Sequence, residues 1–479
     1  MNDSPATPTR NYTLMNLAAS GAIALLVLVI LSRGEKPILL ATAAMAGAVA
    51  LPFLPWLAVP AFALIMGACF LMNDVPIHIG VRWYGADMIL AFVATAGLIF
   101  LVHYLQRDRW LVHPKAERTI VLLLLSGFLY ALVPLGYGLF VEHYAITDVM
   151  GDFRRFYVYP LALLIPLFLP IPAWQRDHLH GVFVTACLLI LLMGAYRLAT
   201  GVRWAEAIYS QATSEILQPR ILSHTEAMNL TAASAYLAAA ALTAKNSLAR
   251  FLAVGLLAAS TGLLIVCGWR LATIYALAVP VAVFLILRWL RKEPMWRLIA
   301  TLTALAGAGA VVLAAMTALL PEMQQVLSKL IYRFQNAGAE GDSRYFSWRR
   351  AIEEWQDAPV MGKGLGNQLY YYFRASDGQF LAEFGSTHNL LLDLLYQTGI
   401  AGISLFLGVH VCFCYTVWRQ LPRLHPEYHA VGCGLLAGYV ANWGFALLQP
   451  LQVGAFLTLF LCMGFLLLLF RVSATRESD

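Results

Sequence analysis

Apolar runs long enough to cross a bilayer recur along most of this 479-residue chain, and nothing else in it limits the fold so strongly. A hydrocarbon core offers no water to unpaired peptide groups, so a chain with many such runs crosses the membrane as helices. Candidate spans cover roughly residues 13–32, 37–53, 55–73, 86–104, 119–141 and 155–172. They continue over roughly 181–199, 227–243, 251–268, 271–290 and 298–320, then 388–417, 430–448 and 451–470. Fourteen is the direct reading, and twelve follows if the proline-broken LPFLPWLAVP region holds short or re-entrant pieces. Pro160, Pro166 and Pro170 predict an irregular sixth span. The expected fold is an all-α polytopic membrane protein with 12–14 transmembrane helices. Composition agrees, with 60% hydrophobic and 12% charged residues. A net charge of +6 is ordinary for such a chain and gives no reason to invoke nucleic acid.

Basic clusters set the expected orientation. Arg107, Arg109, Lys115 and Arg118 form one, Lys245 and Arg250 a second, Arg288, Arg291, Lys292 and Arg297 a third, and Arg419 and Arg423 a fourth. An even number of spans puts all four, and both termini, on the cytoplasmic face. The first apolar run reads as a retained helix rather than a cleaved signal. The chain then divides into a transmembrane region (1–320), a large outward loop (321–387) and C-terminal helices (388–479). That loop carries seven basic and eight acidic residues, a near-neutral balance expected of folded protein.

The loop holds the densest cluster of polar and aromatic signals. DSRYFSWRRAIEEW reads as an amphipathic helix capped by Asp342 or Ser343, with Tyr345, Trp348, Ile352 and Trp355 on its apolar side. Arg344 lies in its first turn, and Arg349, Arg350, Glu353 and Glu354 on its polar side. Pro359, Gly362, Gly364 and Gly366 end the helix in a tight loop. An aromatic run, Tyr370–Phe373, follows. A further apolar helix is expected from Ser386, with His388 in its first turn. The helix dipole and neighbouring arginines would favour a neutral imidazole able to accept a proton.

Outside the large loop, the outer face still carries Arg33, Lys36, Arg82, Arg154, Arg155, Arg197, Arg203, Arg220 and Arg270. Outward positive charge opposes the usual topogenic bias, so these positions invite a function. Arg220 and Arg270 sit where apolar spans begin, and a guanidinium there can grip a phosphate in two-pronged fashion. Each also has a purely structural reading, snorkelling to headgroups or pairing with an acid.

Several constellations are missing from the sequence. No Asp-x-Asp pair on an outer loop suggests a divalent cation. His178 and His180 lie on a cytoplasmic loop with only Asp177 near, and Gly362-Lys363-Gly364 lacks P-loop spacing. The seven cysteines all fall in apolar segments and read as packing thiols. Midplane carboxylates are scarce, which weighs against an ion-coupled transporter.

Taken together, Arg-aromatic-Trp (Arg344 to Trp348), Pro359-x-x-Gly-x-Gly-x-Gly366, and His388-Asn389 running through Gly399 and Gly402 resemble the O-antigen ligases. The same motifs occur among O-antigen polymerases and protein O-oligosaccharyltransferases. The resemblance implies a GT-C-like architecture and an inverting glycosyltransferase without metal or cofactor, set in the bacterial inner membrane with its site facing the periplasm. It implies undecaprenyl-diphosphate-linked O-polysaccharide as donor and lipid A–core as acceptor, both presented from among membrane lipids, in lipopolysaccharide biosynthesis. On the same ground His388 would be the base, and Arg220 and Arg270 would stabilise the leaving diphosphate. Arg154, Arg155, Arg82, Arg344, Asn389 and Tyr345 are expected to bind substrate. A polymerase, a protein oligosaccharyltransferase and a lipid-linked glycan transporter are the alternatives.

Overall fold

The structure is a computed structural model that describes residues 58–60, 62–63, 65–67, 77–79, 81–83, 114–168, 171, 176–200, 221–267, 269–290, 303, 343–374, 380–448 and 453–476. The expected spans at 13–32, 37–53, 86–104 and, apart from Thr303, 298–320 lie outside the described residues. Among the described residues six helices are long and apolar enough to cross a membrane. They are Lys115–Phe140, Leu179–Thr200, Ser247–Val266, Leu271–Leu290, Leu390–Arg423 and Ala455–Ala474. The chain is an all-α polytopic membrane protein, with two small hairpins added to its helices.

The first long span is built from α1 (Lys115–Tyr130) and α2 (Leu132–Phe140), which meet at Ala131. The short helix α3 (Ile146–Phe153) follows and opens into a π-helical turn, Arg154–Val158. A 3-10 turn (Tyr159–Leu163) and α4 (Leu164–Phe168) complete this segment. Pro160 removes a donor and crowds the preceding turn, so the α ladder cannot run through, and the expected irregularity of 155–172 is present.

Beyond it come α5 (Leu179–Thr200), α6 (His224–Thr243), α7 (Ser247–Val266) and α8 (Arg270–Leu290). The large loop contributes α9 (Ser343–Asp357), and α10 (Leu390–Gln420), α11 (His429–Ala446) and α12 (Val453–Arg476) finish the bundle. Two helices form its centre. In α12 every described side chain from Ala455 to Phe470 is buried, and such an all-round apolar helix belongs inside a bundle. By contrast α6 is rich in small residues, and α11 approaches it closely. A Cβ on Gly438 would stand 3.2 Å from Ala232 Cβ, the small-residue contact by which membrane helices pack without a hydrophobic drive. Buried hydroxyls on α6 are satisfied within it: Thr231 donates to Ala227 O and Ser234 to Leu230 O, each at 2.8 Å.

The hairpin strands β1 (Ile77–Ile79) and β2 (Val81–Trp83) pair antiparallel, and β2 lies against α3. In the large loop the aromatic run becomes β3 (Leu369–Arg374), paired antiparallel with β4 (Phe380–Gly385). Pleating sends Tyr370 and Tyr372 outward and Tyr371 inward. Among the described residues of the loop, this hairpin accompanies the expected amphipathic helix. The helix also turns a different face inward. Tyr345 is 67% exposed and Ile352 41%, whereas Ser347 and Ala351 are buried. Those two small residues let α9 settle onto Leu369, Tyr371 and Tyr396, with Phe346 and Trp355 at the edges.

Candidate active site

The glycine loop after α9 is a fastener. Gly399 breaks α10 with φ +67°, leaving a turn whose peptide groups have no helical partners. The loop supplies them. Lys363 N–H donates to Tyr396 O at 2.8 Å and Gly364 N–H to Gln397 O at 3.0 Å. Ile400 N–H donates to Pro359 O at 2.9 Å, and Tyr130 Oη–H on α1 to Thr398 O at 2.8 Å. Leu365 N–H reaches Pro134 O at 3.0 Å, and Gly366 N–H reaches Asp152 Oδ2 at 3.3 Å. One loop thus joins α2, α3 and α10. A Cβ on Gly362 would collide with the Gln397–Thr398 peptide, and one on Gly399 with the Val360 carbonyl.

Above the break sits the His388 turn. The helix begins at Leu390, so His388 precedes it instead of lying in its first turn. Asn389 is the cap, its Oδ1 accepting from Leu391 N–H at 3.0 Å and Leu392 N–H at 3.2 Å. His388 adopts φ +58°, a left-handed backbone that non-glycine residues hold only when their neighbours fix it. Those neighbours are bonded on several sides. Asp393 is fully buried, and its Oδ1 accepts Thr387 N–H at 2.8 Å. The Thr387 hydroxyl lies 2.8 Å from both Asp393 Oδ1 and Asn389 O, and it accepts Asn389 N–H at 3.0 Å. From α9, Trp348 Nε1–H donates to Thr387 O at 2.9 Å.

Beside the turn opens a cleft of about 590 Å³ lined by Thr147, Asp148, Asp152, Arg154, Arg155 and Asn367, with Ser386 and Gln397 among its other walls. Arg155 links cleft to turn, with Nη2 3.4 Å from Asp393 Oδ2 and its guanidinium over Phe156 and Phe456. Arg154 donates from Nε to Met150 O at 3.2 Å. Burial pushes the Asp152 carboxyl up to about 6; Asp393 adds to this, while Arg155, Gln397 and the Gly366 N–H oppose it. The cleft is polar, cationic on one wall and closed by protein amides. It can hold an anion together with hydroxyl-rich groups.

Residues 254–407 match a family model described as O-antigen ligase. Over that stretch the chain is similar to the O-antigen ligases. No curated protein matches it. The family implies a glycosyltransferase-like enzyme that handles a polysaccharide donor and a lipid acceptor. The matched stretch contains Arg270, Arg344, Tyr345, His388 and Asn389, and leaves Arg82, Arg154, Arg155 and Arg220 outside it.

The residues expected to act fall into three groups. Arg154 and Arg155 line the cleft, and the His388–Asn389 turn adjoins it through Asp393. Arg344 and Tyr345 lie in the first turn of α9. Arg344 O accepts the Ser347 hydroxyl at 2.9 Å, while Tyr345 stands exposed with its ring against Phe346. Arg82 pairs with His78 in the first hairpin, Arg270 opens α8, and Arg220 lies outside the described residues. The segment following Arg220 is nonetheless tied to the residue preceding Arg270, because Trp269 Nε1–H donates to Leu222 O at 2.8 Å. Arg197, one of the arginines expected to face outward, is occupied structurally: it pairs with buried Glu226 at 2.7 Å, inside the capping box that starts α6.

Sequence reading missed Thr387, Asp393 and Asp152 as site residues. Asp393 carried a usable signal, a carboxylate one helical turn into an apolar helix and five residues after the histidine. Asp152 carried only its place in GDFRRFY. Among the described residues no three His, Cys, Asp or Glu side chains gather in a set that could hold a metal ion.

Proposed function

We propose that this protein is an O-antigen ligase, a metal-independent inverting glycosyltransferase of the inner membrane. It moves O-polysaccharide from undecaprenyl diphosphate to lipid A–core on the periplasmic side. The observation that carries the reading is the junction of a fixed His388 turn with an arginine-walled cleft through the Arg155–Asp393–Thr387 contacts. The acceptor hydroxyl oxygen attacks the anomeric carbon of the donor, and its proton passes to the His388 imidazole. The bond from that carbon to the diphosphate breaks in the same displacement, which inverts the centre. The departing diphosphate carries the negative charge, and Arg220 and Arg270, with Arg154 and Arg155 at the cleft wall, offset it. Arg82, Arg344, Asn389 and Tyr345 help to hold the substrates, Asn389 by fixing the turn. A diphosphate is already a good leaving group, so fixed cations suffice in place of a metal ion.

Purified protein incubated with lipid-linked O-polysaccharide, lipid A–core and EDTA tests the reading by the size and anchor of the product. A ladder on lipid A is the expected result, undiminished by the chelator. Longer chains still on undecaprenyl diphosphate would make the protein a polymerase, glycan on a protein acceptor an oligosaccharyltransferase, and absence of any covalent product would favour a transporter. Inhibition by EDTA that Mg²⁺ reverses would overturn the metal-free mechanism.

A further inference from the structure

Asp393 and Thr387 have no place in the transfer described above, yet they hold the residue that does. We propose that Asp393, acting through Thr387, is the positioning residue for His388; this rests on the assignment of His388 as the base. Asp393 is fully buried at the head of a membrane-crossing helix, where an unneeded carboxylate is costly. Its two oxygens are divided between two tasks. Oδ1 takes the Thr387 backbone N–H and faces the Thr387 hydroxyl, both at 2.8 Å, and Oδ2 faces Arg155 at 3.4 Å.

The Thr387 carbonyl is fixed in turn by Trp348 Nε1–H at 2.9 Å, so the loop helix and the membrane helix hold the two peptide groups that flank the Thr387 Cα. On the far side of His388, Asn389 is locked as helix cap and also donates its N–H to the Thr387 hydroxyl at 3.0 Å. A left-handed histidine between two such residues has its backbone fixed by bonds it does not make itself. That arrangement aims the ring through its backbone. Through Oδ2 the same carboxylate meets the cationic wall, so the base and the anion-binding arginine share one reference point.

The test uses full-length protein with Thr387→Val, Thr387→Ser and His388→Ala, each purified in detergent and assayed with lipid-linked donor and lipid A–core. Valine keeps the shape and removes the hydroxyl, while serine keeps the hydroxyl. Thr387→Val should lower kcat by about 10- to 100-fold with the donor KM unchanged. Thr387→Ser should restore kcat to within about twofold, and neither should move the thermal midpoint of the detergent-solubilised protein appreciably. Adding Thr387→Val to His388→Ala should cause no further loss of residual turnover. A kcat within twofold of wild type in Thr387→Val would overturn the proposal, as would an equal loss when His388 is already absent. Normal turnover in His388→Ala alone would instead remove the base assignment on which the proposal stands.

Discussion

Asp152 titrates in a range where physiological pH matters, because its carboxyl is half-buried beside Asp393 and is held up near 6 despite Arg155. Its folded pKa lies above the unfolded value of 3.8, so the protonated form favours folding. That contribution is fully present below about pH 4 and is lost as pH rises through about 6, a difference on the order of 3 kcal/mol. Asp152→Asn mimics the protonated group and should raise the thermal midpoint relative to wild type by clearly more at pH 8 than at pH 4.5. An equal effect at both values would show that the carboxyl does not change charge across that window. The sequence singles out His388 and the arginine pair Arg154–Arg155 as candidates, because ionisable groups at membrane boundaries are conspicuous. Their supports are less legible: nothing local marks Thr387, and the partner of Asp393 emerges only once the chain folds back to bring Arg155 to it. Arg197 shows the converse, a cation expected to face outward whose partner Glu226 lies 29 residues away.

At the scale of elements, apolar periodicity located the membrane helices well, since length and hydropathy are local properties. The break at Gly399 was not legible, although the glycine itself was. A helix can dispense with internal bonds there only because a loop thirty residues earlier supplies replacements. Likewise the run at Tyr370–Phe373 gave no hint of pairing until Phe380–Gly385 lay beside it. The face of α9 was misjudged because helical spacing ranks residues by hydrophobicity, whereas close approach to β3 selects Ser347 and Ala351 for being small. Gly399→Ala should destabilise the protein by strain of about 1–3 kcal/mol plus collision with the Val360 carbonyl. Gly255→Ala, where a new Cβ meets nothing within 4 Å, is the control and should leave the midpoint in place. Equal stability of the two variants in detergent would refute the fastening role of the glycine loop.

For the whole molecule, a membrane bundle fixes α3 and α10, and a soluble-like insertion clamps them from the loop side. The bundle contributes Arg155, Asp152 and Asp393; the insertion contributes Trp348, the glycine loop and the amides of Asn367 and Gln368. Neither part alone lines the cleft, which accounts for a site that spans Thr147 to Gln397 in sequence. On this account His388 is needed for transfer and not for gathering substrates. The decisive comparison is wild type against His388→Ala, purified in detergent, measuring both binding of the lipid-linked donor and its transfer to lipid A–core. The account predicts donor affinity within about twofold of wild type and turnover reduced by at least about 100-fold, as expected for loss of a general base. Normal turnover in the variant would contradict it and move the proton acceptor elsewhere in the cleft.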